Sequence, residues 1–135
     1  MAIEQTYLMI KPDAVAAKKV GRIISRLEDV GLTIERMELA QLTFDQAAAN
    51  YAEHEGKPFY EDLIAYIVSG PVVKLLVSGE GAVAVCRKLM GATNPAEAAP
   101  GTIRGDFGLT MDANVMHGSD SVESAEREIA LFFGA

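Results

Sequence analysis

Little in this sequence points to a disulfide, a membrane or a polyanion. Its 135 residues include a single cysteine, Cys86, and only two histidines. A lone cysteine forms no internal disulfide, which favours a reducing compartment and predicts a cytoplasmic setting. Twelve Lys and Arg stand against 19 Asp and Glu, a formal charge of −7. That balance builds no extended basic surface, so neither nucleic acid nor an anionic membrane is expected as the primary partner. No apolar run approaches the roughly 18 residues of a membrane span. Met1-Ala2-Ile3-Glu4-Gln5 has neither the basic start nor the apolar stretch of a secretory signal. The G-x-x-x-x-G-K-[S/T] phosphate loop is missing, and no His/Cys/carboxylate group has metal-cage spacing.

What remains is an ordinary globular composition, 50% hydrophobic and 23% charged. It predicts a single domain over 1–135 with a core that needs no covalent staple. Thr6-Tyr7-Leu8-Met9-Ile10 reads as a strand buried on both faces. Lys11 sits at its exit, and Pro12 suits the first turn of a helix. Val20, Ile23, Ile24, Leu27 and Val30 recur at helical spacing before Gly31. Residues 33–42 alternate imperfectly, with Met37 and Leu39 on one face and Ile34 and Ala40 on the other, which predicts a strand with a bulge. Thr43-Phe44-Asp45-Gln46 is a capping box opening a helix through Tyr51. Tyr60, Leu63, Ile64, Ile67 and Val68 mark a further helix, stopped by Gly70-Pro71. A strand over 72–77, a helix through Ala82, Cys86, Leu89 and Met90, and a short strand over 114–117 follow. The last helix is capped near Asp120 or Ser121 and is expected to bury Val122, Ala125, Ile129, Phe132 and Phe133. The order suggests an α+β sandwich of split-βαβ type, with strands of mixed direction and helices packed mainly on one face.

Residues 91–113 hold four glycines and two prolines, which deny them a long helix or strand. A compact domain rarely keeps a structureless loop beyond about 12–15 residues unless the loop has a task. Ile103, Phe107, Leu109 and Met111 supply anchors that a linker would not need. The segment therefore reads as a long ordered loop that shapes a site, a subunit interface, or both.

The chemistry gathers at few positions. His54 lies among charges at a helix end and reads as a solvated surface residue. His117 lies between the long loop and the start of the last helix, beside Gly118, where other groups approach closely and a helix N-terminus favours anions. A core histidine satisfied by a carbonyl is an equal reading on local sequence alone. Lys11, Arg87 and Arg104 each interrupt apolar or small-residue surroundings. Converging on one histidine, they would make a phosphate clamp. Gly79-Glu80-Gly81-Ala82-Val83-Ala84 imitates a dinucleotide fingerprint but lacks the repeated βαβ context. Cys86, on an apolar helix face, reads as a packed thiol.

Asn114-x-x-His117-Gly118-Ser119-Asp120 resembles the active-site signature of nucleoside diphosphate kinases. The resemblance runs the length of the chain. It includes Ile10-Lys11-Pro12-Asp13, Tyr51 through Phe59, Ser69-Gly70-Pro71-Val72-Val73, Met90-Gly91-Ala92-Thr93-Asn94-Pro95 and Pro100 through Phe107. It implies a ferredoxin-like fold: a four-stranded antiparallel sheet with helices packed on it. It further implies transfer of the terminal phosphate of a nucleoside triphosphate to nucleoside diphosphates, maintaining NTP and dNTP pools. The route implied is ping-pong, through a phosphohistidine at Nδ1 of His117. Lys11, Tyr51, Arg87, Thr93, Arg104 and Asn114 match residues that hold phosphate and ribose, and Phe59 matches the residue on which the base stacks. Glu128 and Ser119 match residues that orient the histidine. Mg²⁺ would ride on the nucleotide's phosphates without a protein ligand. The resemblance also implies a homo-oligomer, and the Pro100–Phe107 run favours a hexamer over a tetramer. A non-catalytic nucleotide-binding module is the main competing reading, and intact His117, Lys11 and Arg104 argue against it.

Overall fold

The computed structural model describes residues 2–111 and 113–134. Its sheet has four strands, β1 (Ile3–Ile10), β2 (Thr33–Ala40), β3 (Val72–Glu80) and β4 (Met116–Gly118). They lie in the order β2-β3-β1-β4, and every neighbouring pair is antiparallel. The expected mixture of strand directions is thus corrected. So is the expectation of helices mainly on one face. Leu8 and Ile10 point to one side of β1 and Tyr7 and Met9 to the other, and all four are fully buried. A strand apolar on both sides requires cover on both.

One face packs on α1 (Pro12–Ala16), α2 (Val20–Asp29), α5 (Ala82–Met90) and α6 (Ile103–Phe107) through Ala14, Ile23, Leu27, Cys86, Met90 and Ile103. The opposite face packs on α3 (Phe44–Asn50), α4 (Tyr60–Ile67) and α7 (Val122–Phe133) through Ala47, Ile64, Ile67, Ala125, Ile129 and Phe132. Tyr7 fixes α7 in place: its ring stacks on Phe132 with centroids 4.6 Å apart and planes 6° from parallel.

Local chemistry sets the element ends. Thr43 accepts from the Gln46 backbone while Gln46 returns a bond to the Thr43 N–H, the expected capping box. Ser121 caps α7 by accepting from Ser124 N. The bulge in β2 falls at Glu35, where pairing steps from Ile34–Val77 to Arg36–Leu76. β1 and β3 run three residues beyond the expected spans, because Ile3, Glu4 and Gln5 pair with Glu80, Gly79 and Ser78. β4 lies at Met116–Gly118, not 114–117. Residues 114–115 are taken by a tight turn described below.

The 91–113 segment contains a short helix that periodicity does not reveal. Thr102 caps α6 by accepting from Gly105 N. Ile103 is fully buried and Phe107 packs against the core, but Leu109 is 83% and Met111 52% exposed, so only half of the expected anchors hold the segment. Val122, in the first turn of α7, is 45% exposed and not buried as expected. No described helix is long and apolar enough to cross a membrane.

Candidate active site

Strand β4 sets the centre of the site. His117 pairs with Met9 of β1 and so shares its face, the one covered by α7. There the ring meets Glu128, two turns into α7, with Nε2 2.7 Å from Oε1. Ser119 donates its hydroxyl to the same oxygen at 2.8 Å, and its own N–H donates to the Tyr7 carbonyl at 3.0 Å. Glu128 is 3% exposed. A carboxylate buried this deeply needs charge-assisted partners. Arg127 adds a weaker contact, Nη2 to Oε2 at 3.4 Å, from a half-exposed side chain. With the carboxylate accepting from Nε2–H, Nδ1 is left as the unprotonated ring nitrogen. Two phenols flank the ring: Tyr51 edge-on at 5.9 Å and 81°, Tyr7 tilted at 6.1 Å and 51°. The core-histidine reading of His117 gives way to a half-buried ring in the wall of a cavity of about 460 Å³.

Three cations reach that cavity. The Lys11 ammonium donates to Asn114 Oδ1 at 2.7 Å. Arg104 is 4% exposed, and its guanidinium donates from Nε to Asn114 O (3.1 Å), from Nη1 to Gly91 O (3.3 Å) and from Nη2 to Met116 O (2.7 Å). A guanidinium has five N–H donors, so part of the fork remains for an anion. Burial and the neighbouring Arg87 cation pull the Arg104 pKa down to about 10, which leaves it charged at neutral pH. Arg87 donates to Gly118 O at 3.1 Å. Asn114 also donates from Nδ2 to Thr93 O at 3.1 Å, tying the long loop to the turn before β4.

That turn is strained. Val115 has φ +78° and is fully buried, and Met116 N donates across it to Asn114 O at 2.9 Å, giving a γ-turn. A β-branched residue at positive φ persists only where its surroundings over-determine it. Here they do. Lys11 N donates to Val115 O at 2.8 Å, and Val115 N donates to Asp13 Oδ2 at 3.1 Å. Lys11 and Asp13 of the Ile-Lys-Pro-Asp run thus grip the turn that carries Asn114 and His117. Gly118 is required for packing: a Cβ there would lie 2.5 Å from Met90 Sδ and 3.0 Å from Leu8 Cδ2.

All ten residues singled out in the sequence come together. Lys11, Tyr51, Phe59, Arg87, Thr93, Arg104, Asn114, His117 and Glu128 line one cavity, and Ser119 sits behind it on Glu128. Sequence reasoning missed Asn50, Asp120, Ser124 and Arg127, which line it too, and it misread His54. That ring is in the cavity wall, 5.3 Å from Phe59 and 6.4 Å from Tyr51, with Nδ1 3.3 Å from Lys57 Nζ. The three-residue step from Tyr51 to His54 was the available signal, since it puts both on one side of a helical turn. Cys86 is a packed thiol as expected, its pKa pushed up to about 12 by burial. Among the described residues, no group of three or more His, Cys, Asp or Glu could hold a metal ion.

Comparison with known proteins agrees with this geometry. The nucleoside diphosphate kinase family model matches residues 4–135. A nucleoside diphosphate kinase of Moorella thermoacetica is 58% identical over 133 residues, covering 98% of this chain and 96% of the relative. One from Staphylococcus epidermidis is 56% identical over 131 residues, covering 97% and 88%. Among solved structures, a halophilic nucleoside diphosphate kinase from Halobacterium salinarum in complex with CDP superposes with a TM-score of 0.96 at 44% identity, covering 99% of this chain and 90% of that one. The apo enzyme from Encephalitozoon cuniculi gives 0.96 at 39% identity, covering 98% and 90%. A ferredoxin-like α+β sheet carrying a histidine among three cations, and relatives of this similarity along nearly the whole chain, make it a phosphotransferase that belongs to the nucleoside diphosphate kinase family.

Proposed function

We propose that this enzyme works by a ping-pong route through a phosphohistidine on His117. The observation that carries the reading is the 2.7 Å contact between Nε2 and a Glu128 carboxylate that is itself buried. In the first half-reaction the Nδ1 lone pair attacks the terminal phosphorus of a nucleoside triphosphate. The N–P bond forms as the bond to the bridging oxygen breaks, and the diphosphate leaves with that electron pair. In the second half a terminal oxygen of another nucleoside diphosphate attacks the same phosphorus and restores Nδ1. Nε2–H stays on Glu128 throughout, so positive charge developing on the ring faces a fixed carboxylate.

Position and charge do the remaining work. The free donors of Arg104 and Arg87 take phosphate oxygens, and Lys11 adds a point charge. Thr93, Asn114 and Tyr51 hold phosphate and ribose, and the half-exposed ring of Phe59 stacks on the base. Stacking reads no base edge, which suits broad use of nucleotides and the upkeep of NTP and dNTP pools. A magnesium ion would enter on the nucleotide's phosphates, which the cationic lining attracts, and Asp120, its pKa lowered chiefly by the Ser124 hydrogen bond, is a lining carboxylate that would hold one of the ion's waters. Bound there, Mg²⁺ would neutralise charge on the transferring phosphates.

The same reading makes 1–135 one domain, cytoplasmic as the unpaired Cys86 favours, and a homo-oligomer, with a hexamer preferred to a tetramer. Exposed Met37 and Leu39 on edge strand β2, and exposed Leu109 and Met111 in the loop, support assembly. His117→Ala is the direct test of mechanism: it should abolish acid-labile ³²P labelling of the protein by γ-labelled ATP. Labelling that survives at another residue rejects the nucleophile.

A further inference from the structure

The middle of β3 carries a charge that strand pairing does not call for. Val72-Val73-Lys74-Leu75-Leu76-Val77 is the apolar stretch of a strand with a neighbour on each side, and Lys74 sits within it only 7% exposed. Lysine is almost never buried without partners, and a branched apolar residue would fill the strand more simply. The partners lie on the face covered by α7. Nζ donates to the Phe132 carbonyl at 3.0 Å, pairs with Glu38 Oε1 at 3.2 Å and lies 5.3 Å from the centre of the Phe133 ring. Phe132 O belongs to the last turn of α7, where carbonyls have no partner within the helix and a cation is favoured. Arg36 adds a longer bond, Nη1 to Phe133 O at 3.4 Å, from an exposed side chain.

Sheet register ties this contact to His117. Lys74 and His117 both pair with Met9, one from each side, so they point to the same face in one row across three strands. On α7, Glu128 and Phe132 stand at i and i+4, one turn apart on the same side of the helix. The row and the helix therefore meet at two struts: His117 Nε2 on Glu128 at 2.7 Å and Lys74 Nζ on Phe132 O at 3.0 Å. Apolar packing is non-directional and lets a helix slide along its axis; a hydrogen bond to one carbonyl weakens steeply when it is misaligned. We propose that Lys74 is a positioning residue for phosphoryl transfer: its ammonium holds the Phe132 carbonyl, which fixes α7 along its axis and keeps the Glu128 carboxylate on His117 Nε2. The inference rests on the phosphohistidine reading above. Lys74 lies outside the cavity lining and touches no reacting atom.

A double-mutant cycle on the full-length enzyme tests it, with Lys74→Met removing the donor and keeping most of the buried stem. Single-turnover labelling by γ-³²P-ATP is followed by rapid quench in the unaltered protein, Lys74→Met, Glu128→Ala and the double variant. Lys74→Met should label roughly three- to tenfold more slowly at saturating ATP, with ADP affinity changed by less than about twofold. In the Glu128→Ala background it should cause no further slowing, because no carboxylate remains to be positioned. Spectra of the ¹⁵N-histidine-labelled protein read the same contact without turnover: the neutral His117 ring should carry its proton on Nε2 in the unaltered protein, and Lys74→Met should mix the two tautomers. A role confined to stability predicts a lower Tm with labelling rate and tautomer unchanged, and that pattern overturns the proposal. Slowing of equal size in the Glu128→Ala background overturns it too. Should Lys74→Met not fold, Lys74→Gln, with its shorter side chain, is read by the same cycle. No labelling of the unaltered protein rejects the phosphohistidine reading and this inference together; labelling there with a fast Lys74→Met rejects this inference alone.

Discussion

Replacing Glu128 separates an orienting carboxylate from a substrate-binding one. The side chain is 3% exposed, and its Oε1 accepts from His117 Nε2 at 2.7 Å and from Ser119 at 2.8 Å. Glu128→Gln keeps the shape and one acceptor but removes the charge. A hydrogen bond to a charged group is worth about 1.5–3 kcal/mol and a neutral one about 0.5–1.5. The difference, about 1–1.5 kcal/mol, is felt most as the imidazole becomes cationic, so labelling should slow roughly tenfold. Glu128→Ala also frees the ring to turn, and a loss of about 3 kcal/mol corresponds to a rate reduced more than a hundredfold. Arg127, half-exposed at 3.4 Å, changes this little, since exposed pairs contribute about 0–1 kcal/mol. Rapid-quench labelling at saturating ATP gives the rate, and calorimetry with ADP gives the affinity, which should shift by less than about threefold. Labelling of Glu128→Gln at the unaltered rate, or a deficit that vanishes at high ATP, would refute the orienting role.

Two further outcomes follow from the site's rim and the long loop. Phe59→Ala removes a half-exposed ring lying 5.3 Å from His54, and stacking worth about 1–3 kcal/mol predicts affinity for every nucleotide falling by roughly five- to a hundredfold. Equilibrium binding across purine and pyrimidine diphosphates checks this; loss for one base alone argues for recognition of base edges. Asp106 pins the loop by accepting from Gly101 N at 2.9 Å and Arg26 Nη2 at 2.6 Å, and these bonds, Gly101's first, hold its pKa below the usual value. A lowered folded-state pKa contributes stability that is full above about pH 4 and is lost as pH falls through the folded value. Proteolysis within 91–113 should therefore accelerate on acidification below about pH 4, and Asp106→Asn should show the fast rate already at neutral pH; equal rates for the two proteins at pH 7 exclude the anchor.

Elements that announce themselves by local chemistry were legible in the sequence. The capping box at Thr43, the stop at Gly31 and the twofold burial of residues 6–10 all recur in the structure. What escaped was decided across the chain. The outer ends of β1 and β3 are polar or small, and only their mutual pairing, Ile3 with Glu80, makes them strands. Helix α6 is five residues long and capped by Thr102, too short for periodicity to register. Glycine marks its close contacts instead: a Cβ on Gly105 would collide with the Ala99 carbonyl. His54 and Asn50 were misread or overlooked for the same reason. Phe59 is five residues from His54, but the lining residues of α7 and the long loop that close the cavity around both come from distant parts of the chain that no local window contains.

On the proposed route an acidic chain binds polyphosphates, which poses an electrostatic problem that the placement of Arg104 would resolve. Net charge acts over distances where solvent and salt screen it, with a Debye length of about 8 Å in physiological salt. The three cations act at contact range from within a half-enclosed cavity, where screening is weak. That location has a cost, visible in the Arg104 pKa, which burial brings down to about 10. Since the folded-state value lies below the unfolded one, the native protein is penalised at neutral pH for keeping this side chain charged, and the penalty is relieved only as pH rises from about 10 toward the ordinary arginine range. Three backbone carbonyls offset part of it and also fix the guanidinium's direction. On the proposed route a phosphate arriving there would meet a cation already buried and already aimed, so little reorganisation would be left for the moment of transfer. On that reading, stability given up at one buried arginine would serve discrimination in favour of the transition state's charge, and the rest of the surface is free to be acidic.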